Sequence, residues 1–170
     1  MEITIDKIKI DDAQDLFDFE SENRAFFERM VPSRGEDYYN FETFMIRHER
    51  LLDEQIQDSS YFYLIRGRNG EILGRMNVVD IDRSQNLAHI GYRVGEKHIG
   101  QGVAHHALQT TLERLSKEGF TELFAKTTNH NIASQKVLEK NGFKKVEVSE
   151  EEFVMNEEIV WFINYRWDIT

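Results

Sequence analysis

A chain of 170 residues has the length of one compact domain, and 40% hydrophobic with 31% charged residues lets it build a core and stay dissolved. It has no cysteine, which excludes disulfides, thiol nucleophiles and zinc-thiolate sites and suits a reducing compartment. A net charge of −10 argues against nucleic acid and membrane partners and favours cationic ones; no apolar run nears the roughly 20 residues of a membrane span and no signal-peptide pattern opens the chain, so a cytoplasmic protein is expected.

Residues 2–10 alternate apolar and polar, with Ile3, Ile5, Ile8 and Ile10 nearly in phase, which predicts a first strand. Asp11 and Asp12 precede a helical spacing at Ala13, Leu16, Phe17 and Phe19. Residues 22–58 are helical in pattern and rich in charge. Their aromatics Phe26, Phe27, Tyr38 and Tyr39 read first as core and second as the wall of an acceptor groove. Tyr61–Arg66 reads as a strand, residues 68–71 as a hairpin turn on the Asn69-Gly70 signal, and 72–79 as the returning strand. A polar turn over 80–85 leads to another strand, Leu87–Val94.

The pattern then changes period. Ala104, Leu108, Leu112 and Leu115 predict a helix over 103–118, stopped by Gly119. A strand follows over 120–126, then a helix over 131–141 with Val137 and Leu138 inward and Gly142 as its stop. Strands over 143–148 and 159–167 close the chain. Helices fall between strands late in the sequence but not in its middle. That predicts an α/β (α+β) domain spanning 1–170, with a mixed, mostly antiparallel central sheet and helices on both faces.

The junction before the long helix carries the chemistry. Gly100-Gln101-Gly102 opens the helix directly after a strand and a short polar turn. A helix start leaves backbone N–H groups without helical partners and adds the positive end of the macrodipole, and glycines let a phosphate come close. A P-loop needs Lys and Ser/Thr where Gln101 and Gly102 stand. A Rossmann turn needs a small third residue where His105 stands. His105 and His106 are adjacent on a helix and point apart, so no metal site is expected.

A second segment lies about thirty residues on: Asn131-Ile132-Ala133-Ser134, ending in Lys140-Asn141-Gly142-Phe143. With it the chain resembles the Gcn5-related N-acetyltransferases (GNAT). Lys97-His98-Ile99-Gly100-Gln101-Gly102 is similar to their pyrophosphate motif, with Lys97 in place of the usual Arg or Gln. Asn131, Ser134, Lys140, Gly142 and Phe143 match the helix that follows their splayed fifth strand, and Ile90-Gly91-Tyr92 matches the fourth. The serine form of the second motif resembles the branch that acetylates ribosomal-protein N-termini on alanine or serine.

The resemblance implies the acyl-CoA N-acyltransferase fold, acetyl-CoA as cosubstrate, and attack by an amine on its carbonyl. It places the pyrophosphate on the amides of Ile99, Gly100, Gln101, Gly102, Val103 and Ala104, with Lys97 beside them. The pantetheine arm would run along Tyr92, Arg93 and Val94, with the Val94 amide as oxyanion donor and Asn131 hydrogen-bonded to the arm. Many relatives carry a tyrosine acid where Leu138 stands, which leaves the sulfur-donor role vacant or passes it to Ser134. His89 stands where relatives often have a glutamate, which makes it one candidate base beside a relayed water. The implied acceptors are a protein N-terminus or a small polycation such as a polyamine; a non-catalytic acetyl-CoA-binding module is the third reading. The strands near the C-terminus offer an edge for a homodimer.

Overall fold

The computed structural model describes residues 1–169. Its strands are β1 (Thr4–Lys7), β2 (Tyr61–Arg66), β3 (Ile72–Asp82), β4 (Leu87–Val94), β5 (Glu122–Thr128), β6 (Lys144–Met155) and β7 (Glu158–Asp168). They form one seven-stranded sheet in the order β1-β2-β3-β4-β5-β7-β6. Every neighbouring pair is antiparallel except β4 and β5. The helices are α1 (Ala13–Glu22), α2 (Arg24–Met30), α3 (Phe41–Ile56), α4 (Val103–Lys117) and α5 (Ile132–Lys140), with short 3₁₀ turns at Ile10–Asp12, Glu36–Tyr39 and Glu96–His98. Among the described residues no helix is long and apolar enough to cross a membrane.

The mixed, mostly antiparallel sheet is as the sequence predicts, and its helices divide between its faces. Side chains alternate across a strand, so Tyr61, Tyr63 and Ile65 of β2 join one core while Phe62 and Leu64 join the other. The first core packs β2, β3 and β4 against Val103, Ala107, Leu108, Leu112 and Leu115 of α4, and takes in Leu138 of α5. The second holds Leu16 and Phe19 of α1, Phe27 of α2, Phe44 of α3 and Tyr38. Covering on both sides is why β2 reads as an unbroken apolar run. Phe27 and Tyr38 are core, the first of the two readings of that aromatic set.

β2 and β4 have the predicted bounds. β3 runs on past Val79 through a register shift, with Asp80 at a φ of 52°. β5 starts and ends two residues later than its pattern suggests, because residues 120–121 leave α4 before pairing begins. β6 extends well beyond 148, through a charged stretch that shows no apolar alternation. Pairing with β7 through a turn at Asn156-Glu157, both at positive φ, holds it in place. It is the sheet's edge, and Glu150, Glu151 and Glu152 lie along it.

One charged network crosses the second core. Glu20 of α1 is fully buried, and its carboxylate oxygens meet Arg75 of β3 at 2.7 Å and Arg93 of β4 at 3.1 Å. Arg75 also donates to the Tyr38 hydroxyl at 3.1 Å. Burial by itself would raise the Glu20 pKa; Arg75, then Arg93 and Arg34, outweigh it and hold the carboxyl below its ordinary value. Glu20→Gln leaves Arg75 buried without a counter-charge and is expected to cost about 3 kcal/mol in denaturant unfolding at pH 7. A carboxyl whose folded pKa is depressed stabilises the fold above the unfolded value and loses that contribution as pH falls through the folded one. The difference between wild type and variant should therefore shrink on acidification below about pH 4.5. A constant difference down to about pH 3 would place the effect in packing rather than charge.

Candidate active site

β4 and β5 run side by side only over Leu87–His89 and Glu122–Phe124. Beyond that they part: Ile90–Val94 stays on β3, while residues 125–128 of β5 stay on β7. This leaves one edge of β4 without a ladder partner. The direction of its amides follows from the ladder on the other side. Gly95 N–H donates to Leu73 C=O at 2.8 Å. Antiparallel pairs alternate between bonded and non-bonded, so Arg93 faces β3 and the N–H groups of Tyr92 and Val94 face the open edge.

The parted strands enclose a cavity of about 70 Å³. Tyr92, Thr128, Asn131, Ser134 and Leu138 line it, and Val31 and Pro32 close one side. That side is pinned where the chain passes over: Asn156 Nδ2 donates to Glu28 C=O at 2.9 Å, and His130 Nε2 lies 3.3 Å from Arg29 C=O. Asn131 is the N-cap of α5, accepting from Ser134 N–H at 3.2 Å through Oδ1, as its place at a helix start suggests. Its Nδ2 keeps two donors for the cavity it lines.

Ser134 does not stand alone. The Tyr92 hydroxyl reaches across from β4 to α5, 3.3 Å from both Ser134 Oγ and Ser134 C=O. Burial pushes the Tyr92 pKa up to about 12, with the Ser134 contact lowering it in part. The phenol thus holds its proton at neutral pH and can donate. Sequence reasoning placed Tyr92 only through its backbone; the partner for its side chain lies 42 residues away.

The glycine turn follows the open stretch of β4 by way of the 3₁₀ turn Glu96–His98. Gly100 and Gly102 have φ of 74° and 81°, a region other residues enter at a cost. Gly102 is the N-cap of α4, and the first helical bond runs from His106 N–H to Gly102 C=O. The N–H groups of Val103 and Ala104 therefore have no helical acceptor, and no carboxylate stands in the first turn. Gly100, Gln101, Gly102 and Ile99 are exposed there. Lys97 Nζ ion-pairs with Glu22 at 2.6 Å, and Gln101 Nε2 donates to Lys97 C=O at 3.3 Å.

Two residues singled out in the sequence lie apart from the cavity. His89 is exposed and stacked on Phe124, with ring centroids 5.3 Å apart, and does not line it. The Arg93 side chain turns to the opposite face, over Phe27 and onto Glu20, so only its backbone can serve the open edge. His105 Nδ1 lies 3.1 Å from Asn141 Nδ2. Among the described residues no group of three His, Asp or Glu is placed to hold a metal ion.

Thr128 escaped the sequence reading. It is 3% exposed, lines the cavity, and its Oγ1 has no hydrogen-bond partner. Buried polar groups are mostly hydrogen-bonded, so this hydroxyl in the cavity wall is available to a molecule bound there. The segment from Thr127 to Asn131 carried the only signal, a polar pair ending a strand just before a helix cap. Pro32, the chain's single proline, was the matching signal on the other wall.

Residues 2–144 match the family model of the acetyltransferase (GNAT) domain. A Bacillus subtilis (strain 168) protein named as a probable N-acetyltransferase, YjcK, is 27% identical over 157 residues, which span 91% of this chain and 87% of that protein. The [ribosomal protein uS5]-alanine N-acetyltransferase of Escherichia coli (strain K12) is 28% identical over 137 residues, 79% of this chain and 71% of its own. A solved complex of the ribosomal L7/L12 alpha-N-protein acetyltransferase RimL with coenzyme A shares the fold, with a TM-score of 0.89 at 20% identity over 98% of this chain and 94% of that one.

Thr128→Val replaces an unpartnered buried hydroxyl with a methyl of the same shape. Thermal unfolding is expected to show no loss of stability, and a gain of up to about 1 kcal/mol. A loss greater than about 1 kcal/mol would show that the hydroxyl is engaged within the fold itself.

Proposed function

The chain belongs to the GNAT acetyltransferase domain family, and on that footing we propose that it moves an acetyl group from acetyl-CoA to the N-terminal amine of a protein, such as a ribosomal protein. The observation that carries this reading is the parting of β4 and β5 over a cavity that holds Ser134 and Tyr92, with the glycine turn between β4 and α4. The proposed setting is the cytoplasm, where newly made N-termini and acetyl-CoA meet.

The cosubstrate fits what the chain offers. The amides from Gly100 to Ala104 supply anion-binding donors with no acidic residue in the first turn of α4, and Lys97 stands beside them, paired with Glu22. The open edge of β4 supplies the N–H groups of Tyr92 and Val94 for a polar arm laid along it. Asn131 Nδ2 adds a donor from the facing helix. When bound, acetyl-CoA supplies the activated acyl carbon and a thiolate leaving group.

The residues then divide the work. Val94 N–H stabilises the oxyanion that develops as the amine attacks. Ser134 Oγ donates to the departing sulfur and draws on the Tyr92 hydroxyl behind it. Leu138 lines the cavity but has nothing to donate, which leaves this task to the Ser134–Tyr92 pair. No carboxylate and no histidine lines the cavity, so the amine loses its proton to water before attack. Thr128 Oγ1 receives the incoming amine.

Calorimetry with acetyl-CoA and free-thiol release with N-terminal peptides test this reading. No cofactor binding at about millimolar concentration would overturn it. Ser134→Ala is expected to lower kcat by about 10- to 100-fold with KM for acetyl-CoA little changed, and Tyr92→Phe to do the same to a smaller degree. Full turnover in Ser134→Ala would remove the donor assignment. With water as the proton acceptor, kcat/KM should rise with pH and level off near the acceptor amine's own value, about 7.7–8.0. A further ionisation in the pH profile that disappears in His89→Gln would instead make His89 the base.

A further inference from the structure

The chain has 31 acidic residues, and none of them lines the cavity. The one charged wall residue is Lys126, whose Nζ lies 4.5 Å above the Phe162 ring. The surroundings are positive as well. The loop that supplies Val31 and Pro32 continues into Arg34, whose guanidinium carbon is 5.2 Å from the centre of the Tyr38 ring. Arg47 of α3 lies 5.4 Å from the same ring. Arg75 donates to the hydroxyl of that tyrosine.

Three guanidinium groups, of Arg75, Arg93 and Arg34, thus lie around one carboxylate, and Glu20 is already committed to Arg75 and Arg93. Among the described residues neither Arg34 nor Arg47 forms an ion pair. Of the nearby acids, Glu28 and Glu36 are taken by Arg24, and Asp37 is exposed in the turn that holds Tyr38. Arg34 is exposed along part of its length, yet its guanidinium is crowded: burial, then the charge of Arg93, pushes its pKa down to about 10. The group remains charged at neutral pH and lacks an anion.

We propose that the acceptor is a polypeptide whose residues just behind the reactive N-terminal amine carry carboxylates, received by Arg34, two residues past the wall residue Pro32, and by Arg47, which shares the Tyr38 ring with Arg34. The proposal rests on the reading of this chain as an N-terminal amine acetyltransferase. Arginine offers a planar fork of donors that matches a carboxylate, and here the fork is free. The overall charge of −10 points toward cations, but charges farther than the screening length, about 8 Å at physiological salt, act weakly on the acceptor. The arginines act at contact. A polyamine would meet Lys126, Arg34 and Arg47 with no wall carboxylate to hold its second charge.

The test measures kcat/KM by thiol release for peptides that share one N-terminal residue and carry two Glu, two Gln or two Lys within positions 3–6. At low salt the Glu peptide is expected to exceed the Lys peptide by about tenfold or more, with the gap narrowing in 0.5 M salt (on the order of a 4 Å screening length). In the Arg34→Gln/Arg47→Gln double variant the Glu-to-Gln ratio should fall by about 5- to 10-fold. In Arg34→Glu the Lys peptide should gain on the Glu peptide. Equal or inverted preference in the wild type, or a ratio unmoved by the double variant, overturns this inference and leaves the proposed function standing. Turnover of spermidine with no turnover of any peptide overturns both. Both arginines lie at the surface, and matching circular-dichroism spectra and melting curves establish that the variants are folded.

Discussion

The parting of β4 from β5 is the constraint on which the rest of this structure turns. A parallel pair that ran its full length would satisfy the backbone of β4 on both edges and leave no space between the strands. Pairing stops at His89 and Phe124 instead, and the N–H groups of Tyr92 and Val94 face a gap. Backbone donors of that kind need a partner, so an open edge inside a fold is a binding surface by construction. The two strands are held apart by what each goes on to do. β4 runs into the glycine turn and α4; β5 stays on β7 and ends at the Asn131 cap of α5. The Tyr92 side chain spans the gap to Ser134 and so ties the two sides of the split together.

Charge is used in two ways within the molecule. Most of it lies on the surface, where it is screened and gives solubility rather than specificity. A small part is buried around Glu20, where the medium screens less and each group depends on its partner. That buried part joins α1 to β3 and β4 on the face opposite the glycine turn. It also fixes Arg93, the residue between the two amides of the open edge. The network that locks the second core therefore also fixes the backbone at the open edge of β4.

Much of the fold was legible along the chain. β2 and β4 were found at their true ends because an apolar run and an Asn-Gly turn are local signals, decided within a few residues. The α4 helix was legible from four apolar positions and a glycine stop. β6 beyond residue 148 was not, because an exposed, acid-rich edge strand buries little and shows no apolar period. It exists through its ladder with β7 and a turn at two non-glycine residues in positive φ. Of the site, the turn at Gly100 and Gly102 and the pair Asn131 and Ser134 were legible as types at spacings. His89 was named from its strand position, and the fold leaves it exposed and outside the cavity.

By itself the sequence determined the order of elements, the mixed sheet, the glycine turn and the likeness to a family, because each depends on residue type and on spacing along the chain. Only the tertiary structure decided that Tyr92 meets Ser134, that the Thr128 hydroxyl is buried without a partner, and that the cavity wall holds no carboxylate in so acidic a chain. The physical reason is range. Propensity, turn chemistry and helix caps act over a few residues. A hydrogen bond across 42 positions, an orphaned polar atom or a local excess of arginine exists only once distant segments share one place.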